Sequence, residues 1–176
     1  EKTYPWNYDQ KMLLSSDARP TTGFGKAVKI SYDGLLSIAG RPGANTTQYW
    51  STNVITSASI PVTTGEVHAY YKDFEGHWSE GQAFTPNAGN ASILTKEFGY
   101  SVDQAIDIVG AGAPGSFGNV GFVYTYTRIP NTTGFDIPQI VWSGNVNATT
   151  DRFGESISFD QHGTWLYVGA PGSNKT

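Results

Sequence analysis

An all-β array of repeated units is the fold class this sequence predicts, and three observations predict it. First, Phe-Gly followed by Gly-x-Pro-Gly occurs three times: Phe24-Gly25 with Gly40-Arg41-Pro42-Gly43, Phe98-Gly99 with Gly112-Ala113-Pro114-Gly115, and Phe153-Gly154 with Gly169-Ala170-Pro171-Gly172. The Pro follows its Phe at the same spacing in the first and third copies, and slightly sooner in the second. Self-similarity at a long period marks stacked supersecondary units, none of which buries its apolar face alone. Second, apolar residues between these marks alternate with polar ones: Val28 and Ile30 in the first copy, Ile157 and Phe159 in the third. A period of two is that of a half-buried strand. Third, the chain has five Trp, ten Tyr and nine Phe, and most follow the same alternation, as Phe122, Tyr124 and Tyr126 do. Packing between sheets takes most of these aromatics.

Each repeat then resolves into strands. Residues 24–43 and 153–172 align without a gap and share a central Gly, Gly34 and Gly163. Asp33-Gly34 and His162-Gly163 sit where a hairpin turn needs positive φ, which glycine adopts at little steric cost. A second strand runs to Ala39 in one copy and through Leu166 and Val168 in the other. The middle copy is shorter by two positions and has no Gly between Asp103 and Asp107, so its turn is built differently. A third strand is expected over Gly65–Tyr71 and Gly118–Tyr126, and a more polar fourth around Gly81–Thr85 and Gln139–Ser143. Four strands per repeat is the count of a β-propeller blade.

The first two Phe-Gly pairs lie farther apart than the last two, and one stretch explains the difference. The chain from Pro42 to Gly65 is much longer than that from Pro114 to Gly118, so the first repeat carries an insertion of about twenty residues. The pattern resembles the FG-GAP repeat, the blade unit of integrin-α-like propellers. It is clearest from Phe153-Gly154 to Gly169-Ala170-Pro171, good from Phe98-Gly99 to Pro114, and degenerate from Phe24-Gly25 to Pro42. The resemblance implies about three four-stranded blades, part of a larger ring, since propellers close with about four to eight. Residues 1–23 are then the outer strand of a preceding or ring-closing blade. Residues 24–97 form a blade with a long inserted loop at 43–64, residues 98–152 a second blade, and residues 153–176 the first half of a third.

Many members of that family carry Asp-x-Asp-x-Asp-Gly in the blade, and no segment here has that spacing. Calcium takes six to eight oxygen ligands, so Asp33 and Asp160 read as turn-capping side chains. No metal and no cofactor is expected. His68, His77 and His162 lack the convergent spacing of zinc ligands. Asp73, Glu75 and His77 read as solvated charges of a turn. Gly110-Ala-Gly-Ala-Pro114 has no Lys and contains Pro, which excludes a phosphate loop, and no nucleophile elbow occurs. No catalytic residue is expected.

Net charge is −4 with 15% charged residues, which argues against nucleic acid as a partner. No apolar run approaches the length of a membrane-spanning helix. With no cysteine there is no disulfide framework. Asn45, Asn90, Asn131, Asn147 and Asn174 all open Asn-x-Ser/Thr acceptor sequences, five of the ten Asn residues. They point to the secretory pathway and an extracellular, cell-surface or virion-surface location. The insertion carries Tyr49 and Trp50 amid Ser and Thr. By the resemblance, such loops emerge on the partner-binding face, and Tyr and Trp are common anchors. The expected function is adhesion or assembly, without catalysis. The partners are a protein or glycan on the loop face, and further blades of this chain or further copies. The alternatives are a lectin-type propeller, or an accessory propeller of a larger enzyme. Trp50 has no counterpart in the second repeat, which weighs against a lectin.

Overall fold

Phe-Gly and Gly-x-Pro-Gly bracket a two-stranded hairpin in every copy. The computed structural model describes residues 22–49, 59–86, 95–143 and 150–173, of which 45–49 and 59–63 as backbone. The expected strand at 1–23 lies outside these residues, except its last two. In the first copy β1 (Val28–Ile30) turns at Asp33-Gly34 into β2 (Leu36–Arg41). After an inserted ribbon of β3 (Asn45–Tyr49) and β4 (Ser59–Thr63), the chain returns as β5 (Glu66–Lys72) and β6 (Trp78–Phe84). The second copy gives β7 (Ser101–Ala105), β8 (Ile108–Ala113), a single turn α1 (Ser116–Asn119), β9 (Phe122–Thr127) and β10 (Gln139–Val141). The third gives β11 (Ser156–Phe159) and β12 (Leu166–Gly169). The protein is all-β. Two antiparallel four-stranded sheets, β1-β2-β5-β6 and β7-β8-β9-β10, are followed by the pair β11-β12.

Register sorts the side chains into faces. Ile38 lies opposite Ala69, and Gly40 opposite Val67, so Leu36, Ile38, Val67 and Ala69 share one face of the first sheet. That face packs against Val102, Phe122, Tyr124 and Tyr126 of the second, with Phe84, Phe98 and Phe135 between them. Burying each such side chain stabilises by about 1.5–3 kcal/mol. Edge-on ring contacts fill the seam: Phe84 to Phe135 at 5.1 Å and Phe98 to Tyr124 at 5.3 Å between centroids.

The Phe-Gly pairs make the joints between sheets. The Phe98 amide donates to the Thr64 carbonyl at 2.8 Å, and the Phe153 amide to Val120 at 3.0 Å. A Cβ on Gly40 would lie 2.0 Å from the Gly99 carbonyl oxygen, and one on Gly112 would lie 2.0 Å from that of Gly154. Only glycine lets these backbones approach. The Ser101 hydroxyl donates to the Gly154 carbonyl at 2.7 Å. The residue before each Phe is left-handed, at φ 70° for Gly23, 61° for Glu97 and 51° for Arg152. For the two non-glycine residues this costs about 1–2 kcal/mol each, and their side chains pair with each other at 3.2 Å.

Three sequence expectations need correction. The third strand of the second copy begins at Phe122, not near Gly118, because α1 intervenes with Phe117 and Gly118 left-handed at φ 47° and 69°. Gly121 is the true counterpart of Gly65: Cβ atoms on these two would lie 2.2 Å from the Phe153 carbonyl oxygen and 2.1 Å from that of Phe98. The matching stretches therefore run from Pro42 to Gly65 and from Pro114 to Gly121, and the insertion is a few positions shorter than expected. Asp103 lies not in a turn but in β7, buried, where it accepts the Phe159 amide at 2.6 Å and pairs with Lys29 at 2.7 Å. One carboxylate thereby ties the first strands of all three copies together. The inserted segment 43–64 is not a simple loop. It contains the β3–β4 ribbon, with Asn45 opposite Thr63 and Tyr49 opposite Ser59.

Candidate binding surface

Antiparallel order gives the sheets two unlike ends. At one end lie the tight turns. Asp33 accepts the Leu35 amide at 3.0 Å, Asp73 the His77 amide at 2.8 Å and Asp160 the Trp165 amide at 2.8 Å. The Ser31 hydroxyl holds the Asp33 carboxyl below its ordinary range, the His77 amide does so for Asp73, and the Trp165 amide for Asp160. For Asp33 and Asp160 these are the capping roles the sequence suggests, and Asp73, read there as a solvated charge, takes the same role. At the other end lie the inserted ribbon, α1 and the Phe-Gly joints.

The ribbon stands on a fixed base. Ala44 and Thr64 are buried, the Gly65 amide donates to the Ala44 carbonyl at 3.1 Å, and the Ala44 amide to Arg41 at 3.2 Å. Arg41 and Glu66 face each other across β2 and β5 at its two roots. The Arg41 guanidinium reaches the Glu66 carboxylate at 3.4 Å and donates to the Thr22 hydroxyl at 2.7 Å. The two ring nitrogens of His68 face Glu66 at 3.2 Å and Glu80 at 3.0 Å. The hydrogen bond from His68, aided by the charge of Arg41, holds the Glu66 carboxyl below the usual carboxylate range against the opposing effect of burial. Beside this cluster the Tyr70 hydroxyl is pushed up to about 12 by burial and by the charge of Glu80, and it has no hydrogen-bond partner among the described residues.

From this base the ribbon runs five paired residues. Four steps of about 3.4 Å put Tyr49 about 14 Å from Asn45 along the strand. Tyr49 is the last residue of β3, and Trp50 lies outside the described residues. Of the acceptor asparagines, Asn45 opens β3 and Asn131 is exposed in the turn after β9, while Asn90, Asn147 and Asn174 lie outside the described residues. Asn131 is left-handed at φ 61°. Its turn is tied back by the Tyr71 hydroxyl, which donates to the Thr133 carbonyl at 2.6 Å. Asn45 and Asn131 therefore mark opposite ends of the sheets.

Asp73, Glu75 and His77 bring ligand-type atoms within 4.8 Å of one another, all exposed. Asp73 Oδ1 accepts the Glu75 and His77 amides and is held by the turn, while its Oδ2 lies 3.6 Å from His77 Nδ1. Sequence reasoning missed the Arg41–Glu66–His68–Glu80 cluster and the Asp103 staple. A signal for the staple was present, since the opposite charges Lys29 and Asp103 stand at the same offset from Phe24 and Phe98. No helix among the described residues is long and apolar enough to cross a membrane. No protein-family model matches the chain, and no curated protein matches it.

Proposed function

We propose that this chain is a non-catalytic segment of an FG-GAP-type β-propeller, displayed on a cell or particle surface, whose inserted ribbon contacts a protein or glycan partner. The observation that carries the reading is the ribbon itself. It is a two-stranded extension rooted on buried backbone and an Arg41–Glu66 pair, with Tyr49 at its far end. Rigid scaffolds that carry projecting segments commonly place recognition there. Among the described residues, Glu66, His68 and Glu80 are engaged with one another inside a sheet, which suits a supporting role rather than catalysis. The five acceptor asparagines support passage through the secretory pathway. Asn131 is exposed at the end opposite the ribbon, where a glycan leaves the ribbon accessible.

The test is binding of the purified glycosylated chain to glycan arrays and to cell surfaces, for the parent and for Tyr49→Ala and Trp50→Ala. Truncating a central aromatic anchor costs about 2 kcal/mol, roughly a 30-fold loss of affinity. Such a loss with an unchanged unfolding midpoint is the expected result. Undiminished binding by both variants contradicts the assignment to the ribbon.

A further inference from the structure

Three turns of the two four-stranded sheets lie at the end opposite the ribbon, each between two described strands: 73–77 between β5 and β6, 106–107 between β7 and β8, and 128–138 between β9 and β10. Each turn holds a large apolar side chain in water. Phe74 is fully exposed, and Ile106, Ile137 and Ile129 are 67%, 80% and 43% exposed. None of them belongs to the core between the sheets. The turns are nonetheless held in place. The Arg128 amide donates to the Asp107 carbonyl at 2.7 Å, which ties the second turn to the third. The Tyr71 hydroxyl ties the third turn to the first sheet through Thr133, and the Phe135 amide donates to the Gln82 side-chain oxygen at 2.9 Å. Closing a turn calls for Gly, Pro, Asn, Asp or Ser, and an exposed Phe or Ile at the tip adds nothing to that.

The charges around the tips have one sign in excess. Residues 72–78, 106–107 and 128–138 hold Asp73, Glu75, Asp107 and Asp136 against Lys72 and Arg128. Both cations are engaged: Arg128 lies 3.9 Å from Asp107, and Lys72 lies over the Trp78 ring at 5.6 Å. His77 faces Asp73 and Glu75 at 3.6 Å. Glu75 and Asp136 are exposed. The apolar tips stand apart, in three turns on two sheets that pack about 10 Å from each other. A protein interface is built on a contiguous, closely packed core, which tips in separate turns do not make. A fluid bilayer takes up separate apolar groups and gains with each area buried. Among headgroups, choline carries its cation outermost, and a quaternary ammonium is drawn to an aromatic face such as that of Phe74. Anionic headgroups, whose field attracts basic segments, repel this excess of carboxylates.

We infer that this end docks on a bilayer with choline headgroups. Phe74, Ile106, Ile129 and Ile137 enter the headgroup boundary, and Glu75 and Asp136 face the choline cations. The ribbon then points away from the bilayer. Asn131 lies in the same turn as Ile129 and is exposed. A glycan on it would hold the tips off the surface, so the docking belongs to chains without sugar at that position. The contact does not depend on what the ribbon binds, and either assignment can fail while the other stands.

Co-sedimentation of the 176-residue chain, produced without N-glycans, with vesicles of dioleoyl phosphatidylcholine tests the inference, with Phe74→Ser and Ile137→Ser as variants. Both sites are exposed, and unchanged circular dichroism and unfolding midpoints check that the variants fold. The parent is expected to bind the vesicles. Each variant is expected to bind about fivefold more weakly, the worth of one apolar side chain taken partly out of water. Vesicles that also contain phosphatidylserine are expected to bind the parent less. Three results each overturn the inference. One is a parent that does not bind phosphatidylcholine vesicles, which would leave a protein as the partner that covers the tips. The others are variants that bind as the parent does, and binding that does not fall when phosphatidylserine is present.

Discussion

Gly112 and Gly169 hold the same place in their repeats, and their surroundings differ by one Phe-Gly turn. At Gly112 an added Cβ would lie 2.0 Å from a backbone oxygen that cannot move without opening the joint. At Gly169 the nearest atom is the rotatable hydroxyl of Ser156. Overpacking a joint costs about 1–3 kcal/mol. Gly112→Ala is expected to lower the unfolding free energy by about that much or more, and Gly169→Ala by less than about 1 kcal/mol. Denaturant melts of both variants check the pair, and equal losses contradict the account of the joint. The glycines of the motif were legible in the sequence because their spacing recurs. Which glycine begins the third strand was not. Residues 115–121 offer Gly115, Gly118 and Gly121, and only the approach of Phe153 picks out the last. Asp103 was misplaced for a similar reason. The missing Gly of the middle copy set Asp103 at the edge of a turn, and the partners that bury it, Lys29 and Phe159, come from the preceding and the following repeat.

Strands that alternate cleanly were legible as elements. β1 and β11 alternate apolar with polar residues in sequence, the two-residue period of a strand, and β2, β5, β9 and β12 were placed beside them by the repeat. The inserted ribbon was not, because 43–64 is rich in Ser and Thr, holds Pro61 within β4 and shows no apolar alternation to set it off from a loop. Its roots, Arg41 with Glu66 and Ala44 with Gly65, belong to the first sheet, so the ribbon itself adds little to the sheet beneath. Replacing residues 45–63 by a short glycine-containing link is expected to change stability by less than about 1 kcal/mol, since loop-closure entropy varies slowly with length. The same replacement is expected to abolish partner binding. Thermal and denaturant unfolding of the shortened chain check the first expectation. A loss of more than about 2 kcal/mol would show that the ribbon props up the sheet, and surface mutations away from structural features rarely cost so much.

At the scale of the whole molecule, the repeat is a way of joining sheets as much as a way of making them. The alternation that marks a strand is local and was read directly. The joint pairs residues of successive repeats, and its glycines and the matched offsets of Lys29 and Asp103 are the traces it left in the sequence. Amide hydrogen exchange resolved to single residues tests that joint most directly. The amides of Phe98 and Phe153 donate across it, to Thr64 and Val120, while the amide of Phe24 makes no such bond among the described residues. In dilute solution Phe98 and Phe153 are expected to exchange only with global unfolding, and Phe24 to exchange fast. Rapid exchange at Phe98 and Phe153, on a par with Phe24, would contradict the joint and with it the stacked architecture.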